Sequence, residues 1–248
     1  MLLAIDIGNT HIDLGIFGNE KLLSHEKYPT VPPDDLPNLP TLLASPPPRG
    51  AVVGSVVAGL GDAYAEMCRK FLRGPVLQVR GSSNWGLQID YDDPDKVGVD
   101  RLAAAAAAHS LSAEGQEAIV VDAGTALTVD AVDVKGTFLG GAIAPGLHMG
   151  IQALSDGTSL LSPTELSPTA PIIGKTTAAG LSSGALYGTA ALIEGLCMRI
   201  TENLETPTSI FLTGGDSSLL HPHIALIDIW DPGLVLRGLE RVYRRYAS

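Results

Sequence analysis

Cysteine is almost absent: Cys68 and Cys197 stand far apart and form neither a Cys-x-x-Cys pair nor a ligand cluster. Basic charge is also scarce, with 16 Lys and Arg against 27 Asp and Glu, a net charge of −11. Neutralising a phosphate backbone needs a basic surface, so this balance excludes a nucleic-acid partner. Mean hydropathy is +0.23, yet no apolar run reaches the roughly 18 residues that cross a bilayer. The opening MLLAIDIGNT has no basic region and carries Asp6, so it does not read as a signal peptide. The histidines at 11, 25, 109, 148, 221 and 223 show no zinc spacing such as His-Glu-x-x-His. What the chain does have is 45% hydrophobic and 17% charged residues over 248 positions. That composition excludes disorder and supplies one or two real cores without staples. The expectation is a soluble cytoplasmic protein with no membrane segment.

Leu2 to Ile5 is an apolar run that ends in Asp6-Ile-Gly-Asn-Thr10, after which Ile12, Leu14 and Ile16 alternate. Two such runs around a Gly-Asn tip predict a β-hairpin. Eight prolines between 29 and 50 predict a surface loop with no element of its own. A strand over 51–57, a helix over 63–72 and a strand over 75–79 follow. Asp100 then precedes a run of alanines from 103 to 108. Alanine is the strongest helix former and Asp a good N-cap, so a helix begins near 100 with Asp100 as its cap. Its thin methyl face lets another element, a partner subunit included, approach closely. Ala118–Val121 leads into Asp122-Ala-Gly-Thr-Ala126 and a second alternating strand to 132. A Gly-rich turn and strand at 136–150, a helix over 183–204, a strand at 210–213 and a helix over 232–246 complete the chain. His221-Pro-His223 reads as a surface turn, and the arginines of the last helix as a solvated face near its C-terminus.

The apolar strand, Asp-x-Gly turn and strand at 6 recur at 122, close to half a chain apart. Two copies imply a duplicated α/β domain, with halves at 1–112 and 113–248 and a cleft between them. A carboxylate directly after a buried strand is costly unless it is paired or holds a metal. Gly8 removes a side chain where a phosphate approaches, and Asn9, Thr10 and nearby amides supply donors. The pair of turns therefore suits a nucleotide whose phosphates and cation sit against them. Other phosphate motifs fail. Gly174-Lys175-Thr176 lacks the first P-loop glycine, because position 169 is Thr169, and no strand leads into a Gly-x-Gly-x-x-Gly. Gly180-Leu-Ser182-Ser-Gly184 matches a nucleophile elbow, but no strand precedes it, so it reads as a helix start. Asp100 and Arg101 on the loop after Gly98 offer a base and a planar fork for an acceptor that carries both a hydroxyl and an acidic group. Thr213-Gly-Gly lets backbone approach a flat ring.

These motifs together resemble type III pantothenate kinases: Asp-x-Gly-Asn-Thr at 6–10, Gly-Val-Asp-Arg at 98–101, Asp-Ala-Gly-Thr-Ala at 122–126, Gly-Gly-Ala-Ile-Ala-Pro-Gly at 140–146 and Thr-Gly-Gly at 213–215. The resemblance implies duplicated ribonuclease-H-like domains of the acetate and sugar kinase, Hsp70 and actin superfamily. It implies ATP-dependent phosphorylation of pantothenate, the first step toward coenzyme A, by a homodimer using Mg²⁺ and K⁺ or NH₄⁺. Asp6, Ile7, Gly8, Asn9, Thr10, His11, Ile12, Asp13 and Thr125 take the ATP positions, and Asp122 that of the monovalent cation. Tyr91, Gly98, Val99, Asp100 and Arg101 take the pantothenate positions, with Asp100 as proton acceptor. Thr177 fills the threonine position of a Gly-Lys-Asn-Thr segment that here reads Gly174-Lys-Thr-Thr177, with Thr176 where the family has Asn. The alternatives are a regulatory ATP-binding protein of the same fold and a kinase of another small hydroxy acid. Asp100 and Arg101 speak for the enzyme, since an ATP binder needs no base at an acceptor site.

Overall fold

The computed structural model describes residues 1–37, 39–44, 46–158 and 166–247. It divides into two units, Met1–Leu111 with Gly136–Phe138 and Gly233–Ser248, and Ser112–Lys135 with Leu139–Pro232. In the first, β1 (Leu2–Ile7), β2 (His11–Gly18) and β3 (Lys21–Pro29) form an antiparallel meander. After α1 (Leu39–Ala44), strand β4 (Ala51–Ser55) pairs parallel with β1. Helix α2 (Leu60–Phe71) crosses over to β5 (Val76–Gln78), parallel to β4. The sheet order is β3-β2-β1-β4-β5. Helix α2 buries Gly61, Tyr64, Ala65 and Cys68, spaced three and four apart so that they share one face. The short strand β6 (Gln88–Ile89) and helix α3 (Val99–Leu111) follow.

The second unit repeats the plan. Strands β7 (Glu117–Ala123) and β8 (Ala126–Val132) make its hairpin, followed by β9 (Thr137–Pro145). Helices α4 (Leu147–Gly157) and α5 (Thr177–Thr201) precede β10 (Thr208–Thr213), which runs parallel to β7. Helix α6 (Ser217–Leu220) leads to β11 (Ile229–Trp230), parallel to β10. The order β11-β10-β7-β8-β9 is the first sheet's order over again, with β6 added beyond β9 through Gln88–Thr137 and Ile89–Phe138. The duplicated α/β architecture is therefore present. In each sheet the first strand is central and buried on both faces, which is why β1 and β7 read as continuous apolar runs.

The chain closes with α7 (Leu234–Ala247), which packs on α3 within the first unit. Ala103–Ala108 are all buried there, and a Cβ on Gly238 would run into the Ala103 carbonyl. The thin alanine face is thus filled by α7, so it is not open to a partner subunit. Leu236, Leu239 and Val242 are buried from the α7 side, each contributing about 1.5–3 kcal/mol. Of the arginines of this last helix, Arg244 and Arg245 are exposed in its final turn, as expected, with Arg244 paired to exposed Glu20, while Arg237 and Arg241 are half-buried.

Three further expectations change. The Pro-rich segment holds a 3₁₀ turn at Pro33–Asp35 and α1, and Leu36, Leu39 and Leu43 are fully buried in the first core. Helix α3 starts at Val99, so Asp100 lies in its first turn and Gly98 accepts the first helical hydrogen bond, from Leu102 N–H. Residues 146–150 belong to a loop and helix, because α4 begins directly after β9. Among the described residues no helix is long and apolar enough to cross a membrane.

Candidate active site

Asp6 and Asp122 are the one partly exposed position in otherwise buried strands, each one residue from its strand's carboxyl end. Ligands of α/β sheets sit outside the carboxyl ends of strands, so both carboxylates are placed where a ligand arrives. The two turns differ in detail. Ile7 pairs with Ile12 across a tip of residues 8–11, and Gly8 N–H donates to His11 O at 2.9 Å. Ala123 pairs with Leu127 across a tip one residue shorter, and Gly124 N–H donates to Ala126 O at 3.1 Å.

Thr30, just past β3, fixes the first tip. Its hydroxyl donates to Gly8 O at 2.7 Å and its amide to Thr10 O at 3.0 Å. With the Gly8 carbonyl turned toward Thr30, the planar trans peptide directs Asn9 N–H the other way. Asp13 stands opposite Asp6 in the β1–β2 register and accepts from His25 Nε2 at 2.6 Å, with Lys27 Nζ at 4.0 Å.

Two glycine turns close around the second tip. Gly146 N–H donates to Thr125 O at 3.2 Å, and a Cβ there would overlap the Gly124 carbonyl. Gly214 adopts φ +96°, and a Cβ on it would strike Ala123 O and Asp122 Oδ1. Only glycine takes that conformation and that clearance without strain. Asp216 N–H donates to Ala123 O at 2.9 Å, and His148 Nε2 lies 3.4 Å from Asp216 Oδ1. Thr213 stands beside Asp122 in the β7–β10 register. Its hydroxyl is buried and has no hydrogen-bond partner among the described residues. A buried hydroxyl oxygen next to a carboxylate is an oxygen donor set that suits a hard or monovalent cation.

In the first unit the head of α3 carries the other cluster. Asp100 Oδ1 accepts from Arg101 N–H at 2.8 Å, and a Cβ on Gly98 would collide with that oxygen. The Arg101 guanidinium lies 5.6 Å from the Phe138 ring centroid, a cation–π contact, and Tyr91 packs on the same ring at 5.9 Å. Phe138 is buried while Tyr91 is exposed. The loop before α3 is pinned: Trp85 Nε1–H donates to Arg80 O and Gly81 O, both at 3.0 Å. Ser82 donates twice to Asp95, which holds that carboxyl below its usual range.

Thr177 is the first residue of α5 and is exposed. Thr176 is the cap of that helix, accepting from Ala179 N–H at 3.1 Å. Thr and Asn both cap, so either residue would fill this local role. Thr177 lines an apolar groove of about 440 Å³ between α4 and α5, with Ile151, Leu154, Leu181 and Leu192. The Ser182 and Ser183 hydroxyls are engaged inside α5, accepting from Ser167 N–H and donating to Ile172 O. No nucleophile elbow exists there.

The structure thus gathers Asp6–Asp13 at one turn, Tyr91 with Gly98–Arg101 at one helix head, and Asp122 with Thr125 at the other turn. Sequence reasoning gave no role to Thr30, Phe138, His148, Thr213 or Asp216. Only Thr213 and Asp216 carried a signal, through the Gly-Gly pair between them.

The type III pantothenate kinase family model matches residues 2–199. A type III pantothenate kinase from Parafrankia sp. (strain EAN1pec) is 36% identical over 250 residues, covering 99% of this chain and 98% of that one. Among solved structures, a Baf family transcriptional activator from Campylobacter jejuni superposes with a TM-score of 0.62 at 21% identity, over 99% of this chain and 98% of that one. An inorganic polyphosphate/ATP-glucomannokinase from Arthrobacter sp. strain KM gives 0.50 at 15% identity, over 98% of each. At those identities the two structures speak for the fold alone.

Proposed function

This chain belongs to the type III pantothenate kinase family, and on that footing we propose that it transfers the γ-phosphoryl group of ATP to the hydroxyl of pantothenate. The product is 4′-phosphopantothenate, the first intermediate toward coenzyme A. The observation that carries this reading is the head of α3, where Asp100 and Arg101 stand together beside the Tyr91–Phe138 pair.

Phosphoryl transfer needs mainly positioning and charge neutralisation. In the first unit, Asp6 through Asp13 line the ATP phosphates, with the Gly8 turn held by Thr30. Tyr91, Gly98 and Val99 shape the acceptor site, and Arg101 takes the pantothenate carboxylate in its planar fork. The acceptor oxygen bonds to the γ-phosphorus as the bond to the ADP oxygen breaks, and Asp100 receives the hydroxyl proton. In the second unit, Thr125 contacts ATP. Mg²⁺ would neutralise phosphate charge, and Asp6, at the end of β1, is the carboxylate that would hold it. Asp122 would hold K⁺ or NH₄⁺ together with Thr213 Oγ1, a buried hydroxyl with no hydrogen-bond partner among the described residues, which supports that assignment.

The protein works as a homodimer in which Thr177 of one subunit completes the acceptor site of the other. The apolar groove that Thr177 lines, with its Leu154 and Leu192 exposed, supports this. The compartment is the cytoplasm, where Cys68 and Cys197 stay as thiols. Burial pushes both up to about 12, far from reactive thiolate.

The test is ATP consumption across a panel of small hydroxy acids that includes pantothenate. Turnover well above background with pantothenate is expected. A different preferred acid would correct the acceptor, and no stimulation by any of them would leave a regulatory ATP-binding protein.

A further inference from the structure

The chain has two tryptophans, and they are used differently. Trp85 is 1% exposed beneath the Arg80–Gly81 backbone, whereas Trp230 is 42% exposed at the end of the edge strand β11. An indole joins a large apolar body to one N–H donor, which suits a place where one end is held and the other is open to a ligand. The position of Trp230 is fixed on several sides. Trp230 sits in register with Leu212, and Asp231 N–H donates to Leu212 O at 3.0 Å. The indole Nε1–H donates to Ser217 Oγ at 3.0 Å, and that hydroxyl donates to Gly214 O at 2.6 Å. The His221 ring stacks on it, 4.8 Å between centroids and 22° from parallel. Two hydrogen bonds therefore tie the indole to the Gly214 turn, the same turn that lies against Asp122. Gly214 and Gly215 have no side chains, which leaves a backbone ledge beside the ring.

We propose that Trp230, held by Ser217 and backed by His221, is the platform on which the nucleobase of the phosphoryl donor stacks. This rests on the kinase reading above and names the residue that holds the donor's base. The geometry suits a flat aromatic ligand: one ring face is stacked on His221, the polar nitrogen is already bonded, and the residue as a whole stays 42% exposed. A base stacked there places the rest of the nucleotide alongside the Gly214 turn, toward Asp122 and Thr125.

Tryptophan emission and calorimetry of the full-length protein test this, with Mg²⁺-ATP and inorganic triphosphate as probes. ATP should quench emission saturably, and triphosphate, which has no base, should not. In Trp230→Phe the quench should vanish, because buried Trp85 alone remains, while ATP affinity stays within a few-fold of wild type. Trp230→Ala should raise the ATP Kd by about 5- to 150-fold, the range of one base–aromatic stack, with triphosphate affinity unchanged. An unaltered ATP Kd in Trp230→Ala, or an equal quench by triphosphate, overturns the proposal while leaving the kinase reading intact. Wild-type protein that binds no ATP overturns both. The wild-type titration depends on no variant folding, and matched melting curves qualify the two variants.

Discussion

Replacing Asp100 by Asn removes one negative charge and almost nothing else. The side chain keeps an oxygen in the place where Asp100 Oδ1 accepts from Arg101 N–H at 2.8 Å. Asp100 lies in the first turn of α3, where a carboxylate favours the helix dipole by about 0.3–1 kcal/mol. At roughly 2–4 °C per kcal/mol for a chain of this size, the variant should melt about 1–4 °C lower. A general base is worth far more, about 10²–10⁴-fold in turnover, or about 2.7–5.4 kcal/mol of barrier. A loose transition state, in which the hydroxyl proton leaves late, places the fall toward the lower end. ATP affinity should hardly move, because Asp100 belongs to neither nucleotide turn. The assay is steady-state turnover with pantothenate beside calorimetric ATP binding and a melting curve. If turnover stays within about threefold of wild type while the melting point drops as expected, Asp100 is a helix-end charge and not the base.

Activity should require K⁺ or NH₄⁺, and Asp122→Asn should lose both that dependence and most turnover; K⁺ should also raise the wild-type melting point by mass action. Full wild-type activity in Na⁺-only or Tris-only buffer counts against a cation at Asp122. Mixing Asp100→Asn with Thr177→Val protein should restore some activity through hybrid dimers with one intact site, and a monomer by light scattering at assay concentration rules this out. Burial raises the Glu240 carboxyl, offset in part by Arg244. A carboxyl raised in the fold contributes stability at low pH that is lost as pH rises through its folded value. The melting point of Glu240→Gln minus that of wild type should therefore rise from pH 4 to pH 8, and a difference that falls as pH rises contradicts the assignment.

Both hairpins were legible because their signals are local: an apolar strand, then Asp-x-Gly, then alternation, all within about 12 residues. The alanine run announced α3 for the same reason, since propensity is a property of the segment itself. Their recurrence half a chain apart was enough to read the duplication, and family motifs named the residues at each turn. What lay beyond reach depends on residues distant in sequence. Prolines between 29 and 50 masked Leu36, Leu39 and Leu43, which become buried only when β1 and α2 supply a core to receive them. The Ala103–Ala108 face looked free for a partner, until α7, from the far end of the chain, lay down on it with Gly238 against Ala103. Gly146, Thr213 and Gly214 acquire their meaning only because β10 inserts parallel beside β7 and β9 hands the chain to α4 next to the Thr125 turn. Sequence by itself determined which segments are strands and which carry the carboxylates, because backbone preference and burial pattern are written along the chain. Tertiary structure decided which glycines and hydroxyls surround those carboxylates, because close approach is a relation between segments that sequence spacing does not encode.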